Sequence, residues 1–147
     1  MVSTADLPFN VYSRHTVESW LSIRVSRRIG RSHLSVHRSD VAQTEDLFIQ
    51  AYETDLIRIG PGKIWATCNG YPTATVLKYL RILTGLKWKL DGGCVAVSTP
   101  RQTWFMSPKD MVAIKQVYNG GLIEYIFPDN VVLPQVNPIH VNELCRV

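Results

Sequence analysis

The sequence predicts an α+β fold: a single domain, residues 1–147, whose largely antiparallel sheet of several hairpins packs against one helix near 73–84. Three observations lead there. Short β-rich runs alternate apolar and polar residues, Gly- and Asn-containing turns punctuate them, and one segment alone, TATVLKYLRIL, spaces its apolar residues as a helix does. A chain of 147 residues, 46% hydrophobic and 19% charged, can bury roughly two-thirds of its unfolded surface and needs no metal or disulfide staple to fold.

Residues 1–10, with Pro8 among mixed polarity, read as a loose N-terminal arm. Trp20 to Val25 alternate, with Leu21, Ile23 and Val25 on one side and Trp20, Ser22 and Arg24 on the other, the pattern of a half-buried strand. His33 to Arg38 alternate again, Leu34 and Val36 inward and His33, Ser35 and His37 outward, with Gly30 as a turn residue between the two runs. Together they predict a hairpin with Arg27, Arg28 and Arg31 at or beside its tip. Beyond the polar stretch 39–46, the runs 47–53, 55–60 and 63–68 form a meander, with Pro61-Gly62 turning between the last two. Asn69-Gly70 ends it. Thr73 caps the helix, Val76, Leu77, Leu80 and Leu83 make its apolar face, and Gly85 stops it.

Residues 87–90 and 94–99 flank Asp91-Gly92-Gly93, which has the chemistry of a tight hairpin turn, and 103–106 add a strand. Two readings compete for 107–118. Ser107-Pro108 suits a helix start with proline in the first turn, while MVAIKQVY suits a strand. The strand is preferred because Asn119-Gly120-Gly121 and the β-rich run 122–127 complete a second hairpin with it. Residues 128–147, with Pro128, Pro134 and Pro138 between valines, read as an extended tail along the domain edge.

The net charge of +4 is unevenly placed. Residues 11–38 hold six arginines (Arg14, Arg24, Arg27, Arg28, Arg31, Arg38) against the single acid Glu18, whereas the ten basic and ten acidic residues from 39 onward cancel. All six lysines lie in that later part, so the excess is pure arginine, the side chain suited to bidentate phosphate contact and stacking. His15, His33 and His37 lie in the same stretch and add charge at mildly acidic pH.

Catalytic chemistry has little support in the residues. Cys68 and Cys94 fall in apolar strands, where cysteine behaves as a small hydrophobe. Three widely spaced cysteines, Cys145 being the third, argue against a disulfide framework and for a reducing compartment. His140 and Cys145 would need two further ligands, such as His33 and His37, to hold zinc. The acids Glu45, Asp46, Glu53 and Asp55 sit at strand ends, and IGPG (59–62) and DGG (91–93) match no phosphate-binding fingerprint. The expectation is therefore no catalytic set, no metal and no cofactor, which places an enzyme behind a binding protein. No apolar run reaches the length of a membrane span, and the first residues carry no basic segment followed by an apolar one, so no membrane role is expected.

The cluster best suited to a partner is Arg24, Arg27, Arg28, Arg31, His33, His37 and Arg38, with Trp20 as a ring on which a base could stack. The competing reading makes these arginines a solvated face paired with nearby acids such as Asp40, Glu45 and Asp46. An uncompensated local charge attracts a polyanion or an acidic partner.

The stretch 53–85 resembles a pattern in small bacteriophage-encoded proteins of unknown function. Its elements are Thr54-Asp55-Leu56-Ile57, the Pro61-Gly62 turn, Ile64-Trp65-Ala66-Thr67, the step Gly70-Tyr71-Pro72-Thr73-Ala74-Thr75 and the helix from Val76, preceded by the basic strand 27–38. Pro72 and Ala74 depart from the pattern, which has a polar or basic residue and a second threonine there. The resemblance implies a phage origin and action in the bacterial host cytoplasm, and it supplies no catalytic residues. Three roles follow as expectations: binding a nucleic-acid backbone (DNA or RNA) through the arginine hairpin, inhibiting an acidic host protein such as a nuclease or defence complex, or serving as a structural phage component.

Overall fold

The computed structural model describes residues 7–39, 46–60, 63–98, 103–117 and 122–126, with the backbone alone beyond Ile114. Among them the fold is α+β, with two helices and ten strands in two antiparallel sheets. The helices are α1 (Arg14–Leu21) and α2 (Ala74–Thr84). A seven-stranded sheet joins β1 (Ser26–Arg28), β2 (Leu34–Arg38), β3 (Leu47–Ala51), β4 (Thr54–Gly60), β5 (Lys63–Thr67), β9 (Met111–Val117) and β10 (Leu122–Ile126), in that order. A second sheet holds β6 (Lys87–Asp91), β7 (Cys94–Ser98) and β8 (Thr103–Met106).

Within the antiparallel meander β1–β5, strands β2, β3 and β5 bury alternate residues, as in Leu34 and Val36, Leu47 and Ile49, Ile64 and Ala66. That buried face joins both helices and the second sheet in one core, from Val17 and Leu21 through Leu80 and Leu83 to Trp88, Val95 and Met106. Helix α2 starts and stops as its sequence dictates. Thr73 Oγ1 accepts the Val76 N–H at 3.2 Å, and Gly85 closes the helix in the left-handed region at φ 75°, donating to Arg81 O. Trp88 then locks β6 onto the helix end, donating from Nε1 to Thr84 Oγ1 at 2.9 Å, while Arg81 donates to Trp88 O. Gly92 and Gly93, at φ 60° and 87°, form the two-residue turn between β6 and β7, where only residues tolerating positive φ fit. The segment 111–117 is a strand paired with both β5 and β10, as the hairpin argument requires.

Four sequence expectations are corrected. Residues 20–25 are not a strand: Arg14–Leu21 form α1, and Ser22–Val25 link it to β1. Val17 and Leu21, four apart, give α1 its buried face, whereas Ile23 and Val25, the other half of the supposed inward row, stand 96% and 68% exposed. The hairpin therefore pairs 26–28 with 35–37, and its tip is Ile29–His33. Within the expected loose arm 1–10 the described part is docked, since Phe9 is buried in the core and packs on Trp20, while residues 1–6 lie outside the described residues. A second sheet and a second helix join the single sheet and helix expected. Cys94 is disulfide-bonded, with its partner outside the described residues, so the argument against disulfides, and the reducing compartment drawn from it, fails there. The expected turn at 61–62, the Asn119–Gly121 turn and the tail 128–147 lie outside the described residues.

Candidate nucleic-acid interface

The arginine-rich segment builds the sheet edge at β1, and its side chains divide into those the fold uses and those it leaves free. Arg38, on β2, reaches back under the α1–β1 link. Its Nη1 donates to Glu18 Oε1 and Oε2 at 2.9 and 3.0 Å, its Nη2 to Ser22 O at 2.6 Å and its Nε to Arg24 O at 3.1 Å. The link is thereby pinned although Ser22 sits at φ 57°, an uncommon value for a residue with a Cβ. Arg27 lies 4.3 Å from the Trp20 ring centroid and donates to Trp20 O at 2.6 Å. Arg28 closes the hairpin tip, donating to Ser32 O at 2.6 Å and Arg31 O at 3.0 Å.

Arg24 and Arg31 remain. Both are exposed, and among the described residues neither side chain has a hydrogen-bond or ionic partner. Asp46, one of the acids expected to compensate them, pairs with Arg58 at 2.6 Å instead, while Asp40 and Glu45 lie outside the described residues. Among the described residues Arg28 Nη1 and Arg27 Nη2 have no partner, so each arginine retains donors for an anion. Trp20, proposed from the sequence as a stacking ring, belongs to α1 and is half-buried between its contacts with Phe9 and Arg27, so it packs the core rather than offering an open face.

The two histidines of the cluster face the outer side of the sheet, away from the core. His33 stacks on Tyr52 at 4.4 Å, which helps hold Tyr52 in the left-handed region at φ 58° in the β3–β4 turn. His37 stacks on Phe48, and its Nε2 donates to Asp55 Oδ1 at 2.9 Å, which also accepts from Gln50 Nε2 at 3.2 Å. Among the described residues no three His, Cys, Asp or Glu side chains converge on a metal position.

Sequence reasoning missed what lies beside His37. One cross-strand row on the outer face runs Ser26, His37, Phe48, Arg58, Trp65, Ala113, each residue registered against the next on the neighbouring strand. Arg58 and Lys63 each lie 4.8 Å from the Trp65 ring centroid. Gly60 makes room for that ring, since a Cβ there would come within 2.8 Å of Trp65 Cζ3. A pocket of ≈ 230 Å³ opens beside the row, lined among others by Phe48, Asp55, Trp65, Thr67, Asn69 and Met111. Each of His37, Phe48, Arg58 and Trp65 is an outward position in the alternation of its own strand, and they become a row only once the strand registers are known.

Cys68, the residue after β5, is wholly buried and free, and burial pushes its thiol up to about 12. That makes it a packing residue with no nucleophilic character at neutral pH. No helix among the described residues is long and apolar enough to cross a membrane. Comparison of the chain with protein-family models, with curated proteins and with solved structures found no match.

Proposed function

We propose that this chain is a non-enzymatic binding protein that grips a nucleic-acid backbone along the β1 edge. The observation that carries the reading is the exposure of Arg24 and Arg31 without ionic partners among the described residues, within a segment whose charge is uncompensated. The three residues of β1 separate the link bearing Arg24 from the tip bearing Arg31, about 10 Å of strand. Arg24, Arg28 and Arg31 thus lie in order along one edge, an arrangement suited to contacting several phosphates of the same backbone. Such contacts position a backbone and carry no sequence information. The phage-like pattern at 53–85 supports a phage origin and action in the host cytoplasm as part of the same proposal.

The experiment is a titration of labelled single-stranded DNA, duplex DNA and RNA at low and moderate salt. Affinity falling steeply with salt supports the reading; absence of binding at low salt ends it. A second reading, an inhibitor docking on an acidic host protein, is favoured by one observation: Ile23 and Val25 project beside Arg24 as exposed apolar groups. Under that reading, changing Ile23 abolishes capture of the partner while nucleic acid does not bind at all.

A further inference from the structure

We infer that the pocket on the outer sheet face takes one unstacked nucleobase of a single-stranded nucleic acid, with Trp65 as the stacking ring and Asp55 as the group that reads it. This rests on the backbone-binding reading and extends it from phosphate contact to base recognition.

Three features of the site point to a base. The first is the ring itself. Trp65 is half-buried, seated over Gly60, with Arg58 and Lys63 each 4.8 Å over its ring, so its position is set before any ligand arrives and a base takes the place of one of these cations on the ring. A preset ring on an open antiparallel sheet is the arrangement on which single-stranded bases stack, because every base has a π face and an unpaired one has that face exposed. The second is the carboxylate. Asp55 lines the same pocket, and its Oδ1 is held by His37 and Gln50, which fixes the group and leaves Oδ2 without a partner among the described residues. A fixed, half-exposed acceptor is suited to an exocyclic amine, the donor that cytosine and adenine carry and thymine lacks. The third is continuity with the arginine edge. Arg28 on β1 registers with Ser35 on β2, Ser35 with Gln50 on β3, and Gln50 with Asp55 on β4, so Arg28 and Asp55 share one row of the outer face. Three strand spacings of about 4.8 Å separate them, so one extended strand can meet both.

The test compares oligonucleotides of about 12 nucleotides, within the site sizes of single-strand-binding domains. Oligo-dC, oligo-dT and an abasic strand of equal length and charge are titrated against the full chain by fluorescence anisotropy. The expected order is dC over dT over abasic, with the abasic strand weaker than dC by about 5- to 160-fold, the usual worth of one stacked base. Trp65→Ala should bring dC down to the abasic value, and Asp55→Ala should abolish the dC over dT preference while keeping the dT over abasic difference. Circular dichroism confirms that each variant is folded, and Trp65→Phe, which keeps a smaller ring, should lose only part of the effect. If dC and the abasic strand bind equally, the base site is wrong and the backbone reading stands. If no strand binds at all, the backbone reading fails, and the base site with it.

Discussion

Replacing Arg38 by methionine separates a structural arginine from a binding one. The substitution keeps much of the aliphatic stem and removes the guanidinium, with its contacts to Glu18, Ser22 O and Arg24 O. Arg38 and Glu18 are each about a third exposed, so their ion pair contributes about 0.5 kcal/mol rather than the value of a buried pair. The two carbonyl bonds to a charged donor contribute about 0.5–1 kcal/mol each after the same discount. Both carbonyls belong to exposed residues and can be rehydrated, so no orphaned buried acceptor adds to the loss. The sum is about 2 kcal/mol, or roughly 4–8 °C in melting temperature for a domain of this size. Urea unfolding of the two proteins side by side measures it. Because Arg38 is engaged inside the fold, the salt dependence of nucleic-acid binding by the folded variant should stay as it is in the wild type. A stability change under about 0.3 kcal/mol, together with a shallower salt slope, would show that Arg38 lies free and contacts phosphate, contrary to this account.

Ile23→Ser should change stability by less than about 0.5 kcal/mol, because the side chain is almost wholly exposed; a loss of about 2 kcal/mol in urea unfolding would restore the half-buried strand. Gly60→Ala should cost about 1–3 kcal/mol and alter tryptophan emission, since the new methyl must displace the Trp65 ring; unchanged emission and stability would place that ring elsewhere. Cys68 should resist alkylation in the folded protein and react once unfolded. Its thiol ionises near pH 9 when unfolded and near 12 when folded, so the folded state holds the extra proton between those values and stability falls as pH rises through that window. The fall attributable to Cys68 is at most about 1.4 kcal/mol per pH unit, and Cys68→Ala should flatten the curve by that part; identical curves for the two proteins would contradict the burial of the thiol.

Much of the fold is legible where local chemistry and long-range packing agree. Thr73 and Gly85 bracket α2 because a cap oxygen and a left-handed glycine satisfy orphan backbone groups wherever the helix packs. Gly92-Gly93 defines its hairpin for the same local reason. Helix α1 is hidden because the alternation at 20–25 imitates a strand and no glycine marks its end; Ser22 takes the left-handed φ instead. Only tertiary contact, burying Val17 and Leu21 while leaving Ile23 in solvent, decides between the two patterns. The division into two sheets is equally non-local, since alternation says which face of a strand is buried and not which strand lies beside it.

The candidate site shows the same limit. Charge segregation is visible in composition, but which arginines are free depends on where Glu18, Ser22 and Trp20 come to lie around Arg38 and Arg27. Trp65 carries no mark in the sequence that distinguishes it from Trp20. Its place on the outer face follows from the register Arg58↔Trp65, and the Asp55 contact with Gln50 follows from the irregularity between Ile49 and Gln50.

The central claim is that Arg24 and Arg31 meet phosphates. The most direct measurement is the slope of log affinity against log salt for duplex DNA, in the wild type and in the Arg24→Ala/Arg31→Ala double variant. Two lost phosphate contacts predict a slope shallower by about 1.8, with stability unchanged within about 0.5 kcal/mol because neither side chain is bonded among the described residues. Parallel slopes in the two proteins would show that these arginines do not touch the backbone and would contradict the account.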